Sequence, residues 1–200
     1  MDVAMAMKHE ITRNDLMPVP EYAKVRKERR QVLVAAKRNR RLHVGPYATF
    51  HFENYDSMWH QIHEMLYIEK GGEAQVDDEL QAYNSLIPNG RELIATVMFE
   101  IDDEKQRRAF LAKLGGVEET VSIRFDGEIV RGQPEEDVDR TNAAGKASSV
   151  QFIHFPFTAA QIGTFRRPGV EVTLGINHPA YGHIAILPEA TRAALAQDFD

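Results

Sequence analysis

The chain contains no cysteine, which removes disulfides, thiolate nucleophiles, zinc ribbons and cysteine-ligated iron–sulfur clusters from its chemistry. A metal here would need histidine, carboxylate or carbonyl ligands. No stretch approaches the roughly eighteen consecutive apolar residues of a membrane span, so no membrane association is expected. Dinucleotide fingerprints, a Walker loop and a serine nucleophile elbow are all missing. The start Met1-Asp2-Val3-Ala4-Met5-Ala6-Met7-Lys8 is too short and too acidic for a signal peptide, which predicts a cytoplasmic protein.

What is present is the balance of an ordinary globular protein, 43% hydrophobic and 27% charged over 200 residues. That length fits a single domain, with residues 1–10 expected to be flexible and 132–148 to form a long loop. The net charge of −6 conceals an asymmetry: residues 1–70 sum to +3 and residues 71–140 to −9. Between Lys24 and Arg41 lie Lys24, Arg26, Lys27, Arg29, Arg30, Lys37, Arg38, Arg40 and Arg41, opposed only by Glu28. Such a run can neutralise phosphates, dock a protein partner through Arg29, Arg30, Arg38, Arg40 and Arg41, or form a solvated helix face. Tyr22, Val25, Val32, Leu33 and Ala36 recur at helical spacing and predict a buried stripe beneath it. The helix is expected to start near Pro20 and stop before Gly45-Pro46, with Arg38, Arg40 and Arg41 near its C-terminus.

Beyond it, residues 47–54 alternate as a strand, and Asp56 opens a helix to about Lys70 carrying Met58, Trp59, Ile62, Met65 and Leu66. Residues 73–83 resume a helical pattern, and 92–101 read as a strand. A helix capped by Asp102 or Asp103 precedes a hairpin turning at Asp126-Gly127. A strand from Val150 to Phe155, a capping box at Thr158, a strand up to His178, a short strand at 183–187 and a helix opened by Pro188 complete the chain. This order is neither regular βαβ nor all-β. It predicts an α+β domain, a largely antiparallel sheet with helices on one face.

Histidine and glutamate carry the remaining chemistry. His60 and Glu64 are four apart on one helix and His63 lies three from His60, so His60, His63 and Glu64 are candidate ligands for a divalent metal. Their order is that of neither zinc-protease motif. His154 shares parity with Val150 and Phe152, and His178 continues the face of Val170, Val172, Leu174 and Ile176. Both are therefore expected on the core side, with Tyr181 or Glu64 converging on a pocket at the strand ends.

Several polar segments together carry a family resemblance over about residues 10–198. They are Ile11-Thr12-Arg13-Asn14-Asp15-Leu16, Glu21-Tyr22, Arg40-Arg41 leading into Gly45-Pro46, and Phe52-Glu53-Asn54. Gln61-Ile62-His63-Glu64-Met65-Leu66 with Glu69, Ala82-Tyr83-Asn84-Ser85-Leu86-Ile87-Pro88, Val150-Gln151-Phe152 and Asn177-His178-Pro179-Ala180-Tyr181 continue it. The chain resembles the bacterial domain-of-unknown-function family 3501. That resemblance supplies no activity. Genes beside its members, for rubrerythrin-like and iron–sulfur reductase-like proteins, imply a role near redox or peroxide metabolism. The family pattern has glutamine in place of His63 and lacks His60, which shifts the shared polar set to Glu53, Glu64, Glu69 and His178.

Three readings from different classes follow. The chain is an accessory or binding protein for a redox partner, docking through the basic helix or the acidic middle. Or it is a small metal-dependent or carboxylate-based enzyme, with Glu64 and His178 catalytic and Glu53, Glu69, His154 and Tyr181 around the ligand. Or it binds nucleic acid through residues 24–41. An uncovered sheet face or edge would add a homodimer.

Overall fold

The structure, a computed structural model, describes residues 8–135 and 146–200. Most of the expected loop 132–148 and the expected flexible start lie outside them. Helices α1 (Val19–Lys37), α2 (Tyr55–Glu69) and α3 (Glu73–Asn84) interleave with strands β1 (Arg41–Val44), β2 (Ala48–Phe52) and β3 (Glu92–Phe99). Then come α4 (Glu104–Leu111), β4 (Val121–Phe125), β5 (Glu128–Arg131), β6 (Gln133–Pro134) and β7 (Val150–Pro156). Helix α5 (Ala159–Phe165), β8 (Val172–His178), β9 (Tyr181–Ile186) and α6 (Glu189–Leu195) close the fold. The α+β class holds. The sheet is resolved into two, a five-stranded β1-β2-β3-β7-β6 and a four-stranded β5-β4-β8-β9, each antiparallel throughout.

The main core lies between the two sheets. Leu42, Val44, Phe50, Phe52, Leu93, Val97, Ile153 and Phe155 from one meet Val121, Ile123, Phe125, Val172, Leu174 and Ile176 from the other. Phe125, Phe157, Phe165 and Phe199 close one end with ring centroids 4.8–5.8 Å apart. A second cluster on the outer face of the five-stranded sheet packs Ile94 and Phe152 against Met58, Ile62 and Leu66 of α2. Strand β3 is therefore covered on both faces, and Leu93 through Val97 are buried without alternation.

Local chemistry sets the element ends. The Asn54 side chain accepts from Ser57 N–H, and the Ser57 hydroxyl accepts from Asn54 N–H, so Asn54 rather than Asp56 caps α2. Asp126 and Gly127 both have positive φ, the two-residue turn that matches strand twist in the β4–β5 hairpin. Gly45 has φ +70°, and a Cβ there would fall 2.5 Å from the His183 ring, so the β1–β2 turn can approach β9 only without a side chain.

Three expectations are corrected. Helix α1 stops at Lys37; Arg38–Arg40 form a 3-10 turn and Arg41 starts β1, whose alternating Leu42 and Val44 enter the core. The stripe beneath the basic run also fails after its first turns. Tyr22 is buried and Val25 and Leu33 are half-buried, but Ala36 is exposed, with Val32 and Val34 61% and 64% exposed. The apolar face of α2 that carries Met58, Ile62 and Leu66 is turned to the sheet, away from them. Finally, the parity of β7 is reversed. Gln151, Ile153 and Phe155 face the main core, while Val150, Phe152 and His154 point to the helix side.

Candidate functional site

Trp59, His60, His63, Glu64 and Tyr67 recur on α2 at spacings that gather them along α1. Tyr22 enters this row: its hydroxyl donates to Glu64 Oε1 at 2.8 Å and lies 3.0 Å from His60 Nδ1. A phenol has one proton, so His60 must donate from Nδ1 to the Tyr22 oxygen. Arg26 completes the cluster through two bonds, Nε to Glu64 Oε1 at 2.8 Å and Nη2 to Oε2 at 2.7 Å. Those bonds, against the opposing cost of burial and with help from Tyr22, hold the Glu64 carboxyl down at about 2. Burial, then Glu64, pushes the Tyr22 phenol up. The Arg26 guanidinium also covers the Tyr67 ring at 4.7 Å, and Arg29 covers Trp59 at 5.2 Å.

This geometry gives the metal reading no support. His63 Nδ1 donates to the Trp59 carbonyl at 2.7 Å, and Nε2 accepts from Met17 N–H at 3.0 Å, so neither nitrogen has a lone pair to offer. Burial lowers its pKa and keeps it neutral. Both Glu64 oxygens face Arg26. Among the described residues no group of three or more His, Asp or Glu is arranged to hold a metal ion. With Tyr22 and Arg26 bonded to its two oxygens, Glu64 could take a proton from a substrate only in competition with them.

The other candidates are dispersed. Glu53 is buried at the end of β2 and accepts from Ser57 Oγ at 2.6 Å and Thr96 Oγ1 at 2.7 Å. Glu69 is exposed and accepts from Gln75. His154 lies between two carboxylates, Nδ1 2.9 Å from Glu92 and Nε2 2.9 Å from Glu135. His178 sits at the margin of the second sheet, its Nδ1 accepting from Ala180 N–H and its Nε2 donating to the Gly115 carbonyl. Tyr181 is buried and saturated: its oxygen accepts from the Tyr47 and Ala48 amides and donates to the Val44 carbonyl, tying the β1–β2 turn to β9. Among the described residues, the clefts at the β4–β5 hairpin and on α1 are lined by none of Glu53, Glu64, His178 and Tyr181.

The basic run divides likewise. Arg40 is buried, donating to the Phe52 and Glu53 carbonyls and, through both terminal nitrogens, to the Asp198 carboxylate, so it is no partner-binding residue. Arg29, Arg30, Arg38 and Arg41 are exposed. Beside the fixed Arg26 opens a groove of about 620 Å³, lined by Ala23, Arg26, Lys27, Arg30, Gln31, Val34 and Tyr67. Tyr22 and Arg26 were missed as site residues. Their signal was there, two residues four apart on α1 opposite two residues four apart on α2. A cleft of about 710 Å³ at the β4–β5 hairpin is lined by Arg124 and Arg167 together with Asp126, Glu128 and Glu171, so its charges largely cancel.

The fold and site define an α+β sandwich with a three-helix layer and a cationic groove on its outermost helix. The family model described as "Protein of unknown function (DUF3501)" matches residues 10–199, and the chain belongs to that family. It is also similar to a crystal structure from Burkholderia pseudomallei K96243 described as a novel protein of unknown function. The two share 37% identity and a TM-score of 0.88 over 95% of this chain and 99% of that one. Among curated proteins nothing matches.

Proposed function

We propose that the chain is a binding protein that docks an acidic partner on α1. The observation that supports this reading is unused positive charge. Lys24, Lys27, Arg30 and Arg38 have neither a carboxylate partner nor a ring contact among the described residues, and Val34, which lines the groove with Lys27 and Arg30, is exposed. A solvated helix face accounts for the cations taken singly but not for a groove in which Lys27 and Arg30 stand beside the exposed Val34 and the Tyr67 ring. The family resemblance points to a redox protein as the partner, and the charge of α1 selects an acidic one.

Labelled poly-glutamate, followed by fluorescence anisotropy, tests the reading. It should bind at low salt and dissociate as salt rises, because exposed charge contacts are screened. The Lys27→Glu/Arg30→Glu variant should bind on the order of tenfold more weakly, a difference of about 1.4 kcal/mol. Equal affinity of the variant, or no binding at low salt, overturns the proposal. Tighter retention of an oligonucleotide of equal charge would transfer the surface to nucleic acid.

A further inference from the structure

The groove says more about the partner than its sign of charge. Ala23, Lys27, Arg30 and Val34 stand at i, i+4, i+7 and i+11, one straight seam on α1. At about 1.5 Å of rise per residue the seam runs roughly 16 Å, or three helical turns. Its ends are apolar and its middle is cationic. Tyr67 forms a wall, and Arg26 is held in place by Glu64 and by stacking on that ring. Gln31 adds an amide that can donate or accept.

Helix surfaces build this groove, and their backbone hydrogen bonds are internal, so an extended segment would find no strand edge to join. A phosphate backbone would meet the two free cations of the seam but leave both apolar ends unused. An amphipathic helix uses all of it. Resting on the reading of α1 as the docking surface for an acidic partner, we infer that the groove accepts an acidic amphipathic helix of about three turns. Its apolar residues cover Ala23 and Val34, and its central carboxylates meet Lys27 and Arg30. The acidic helix of this chain itself, α3, does not fit the role. Its Val76, Leu80 and Tyr83 already pack in the second core cluster, which leaves no apolar anchor for another copy.

The test compares two synthetic peptides of identical composition by isothermal titration calorimetry. One places leucines and glutamates at helical spacing; the other is scrambled. The full chain should bind the first on the order of tenfold more tightly. Val34→Asp should abolish that preference. Val32→Asp, a substitution on the same helix outside the groove, should retain it. Equal binding of both peptides overturns the helix inference while leaving α1 as an acidic-partner surface. Loss of poly-glutamate binding overturns both. The inference also fails if Val32→Asp and Val34→Asp behave alike, or if sedimentation shows a dimer that Val34→Asp dissociates. In that last case the groove belongs to a second copy.

Discussion

Arg30 and Arg40 belong to one basic run, and their surroundings are opposite. Arg30 stands on the exposed half of α1 with no carboxylate partner among the described residues. Arg40, just beyond the helix end, is withdrawn from water and fully engaged. It bonds two carbonyls of the β2 end and the Asp198 carboxylate near the C-terminus. One cation joins three distant segments of the chain, and the other is left exposed to solvent. Clustering of charge in a sequence therefore says little about use; the point where the helix ends decides which cations turn inward.

The sharpest way to break that contrast is to neutralise each arginine. Arg40→Met should cost about 3–5 kcal/mol, because it strands a buried carboxylate and two carbonyl acceptors. Burial already pushes the Asp198 carboxyl up in spite of Arg40, so Asp198 should take up a proton once the guanidinium is gone. The loss should then shrink in acid. Arg30→Met should stay within about 0.5 kcal/mol, as expected of a surface position. Urea midpoints at neutral and acidic pH decide the matter, and equal losses in the two variants would remove the distinction between the regions.

How much of this was legible in the sequence depends on whether a neighbour had to be known. The hairpin at Asp126-Gly127, the box at Thr158 and the α3 pattern are local chemistry and lie where their residues indicate. Strand β1 was hidden because basic residues alternate with Leu42 and Val44 directly after a helix, and the run of charge reads as helix. His154 misled through parity: Phe152 on its face is half-buried against α2, in a second core no periodicity distinguishes from the first. The metal reading gains no support for a related reason. Helical spacing brings His60, His63 and Glu64 together, but Met17, Tyr22 and Arg26, remote in sequence, engage His63 Nε2, His60 Nδ1 and the Glu64 carboxylate.

Arg26 is the intermediate case, a partly exposed cation that is nonetheless paired. The Glu64 carboxyl it holds at about 2 ordinarily titrates near 4.5. A depressed folded value gives stability that is present above the unfolded value and lost as pH falls through the folded one. The window is therefore pH 4.5 down to about 2. Glu64→Gln should be less stable than the parent at neutrality, and the gap should close across that window. A pH-independent gap would mean that the pair contributes packing rather than charge.

His154 and His63 sharpen the comparison through ring charge. Burial opposes charge on His154, but hydrogen bonds to Glu92 and Glu135, and their charges, outweigh it and raise the pKa. A raised histidine gives stability that is complete below its unfolded value and lost as pH rises through the folded one. His154→Gln should thus lose most in mild acid and approach the parent in alkali. His63, kept neutral by burial, has the opposite sign: its folded value is lowered, so protonation in acid weakens the fold. Melting temperatures of His154→Gln and the parent across mild acid to alkali test the clamp, and a constant difference would reject it.

The smallest expected effect bears most on function. Val34 is 64% exposed and touches no core cluster, so Val34→Asp should change stability by no more than about 0.5 kcal/mol. If it also abolishes the preference for the helical peptide, the valine serves binding and not folding. Lys27→Glu/Arg30→Glu should likewise melt with the parent while losing poly-glutamate. Urea midpoints of both variants, measured beside their binding, separate the two roles. A large loss of stability in either would mean that the exposed half of α1 is held by contacts of its own, and the contrast between Arg30 and Arg40 would narrow to one of degree.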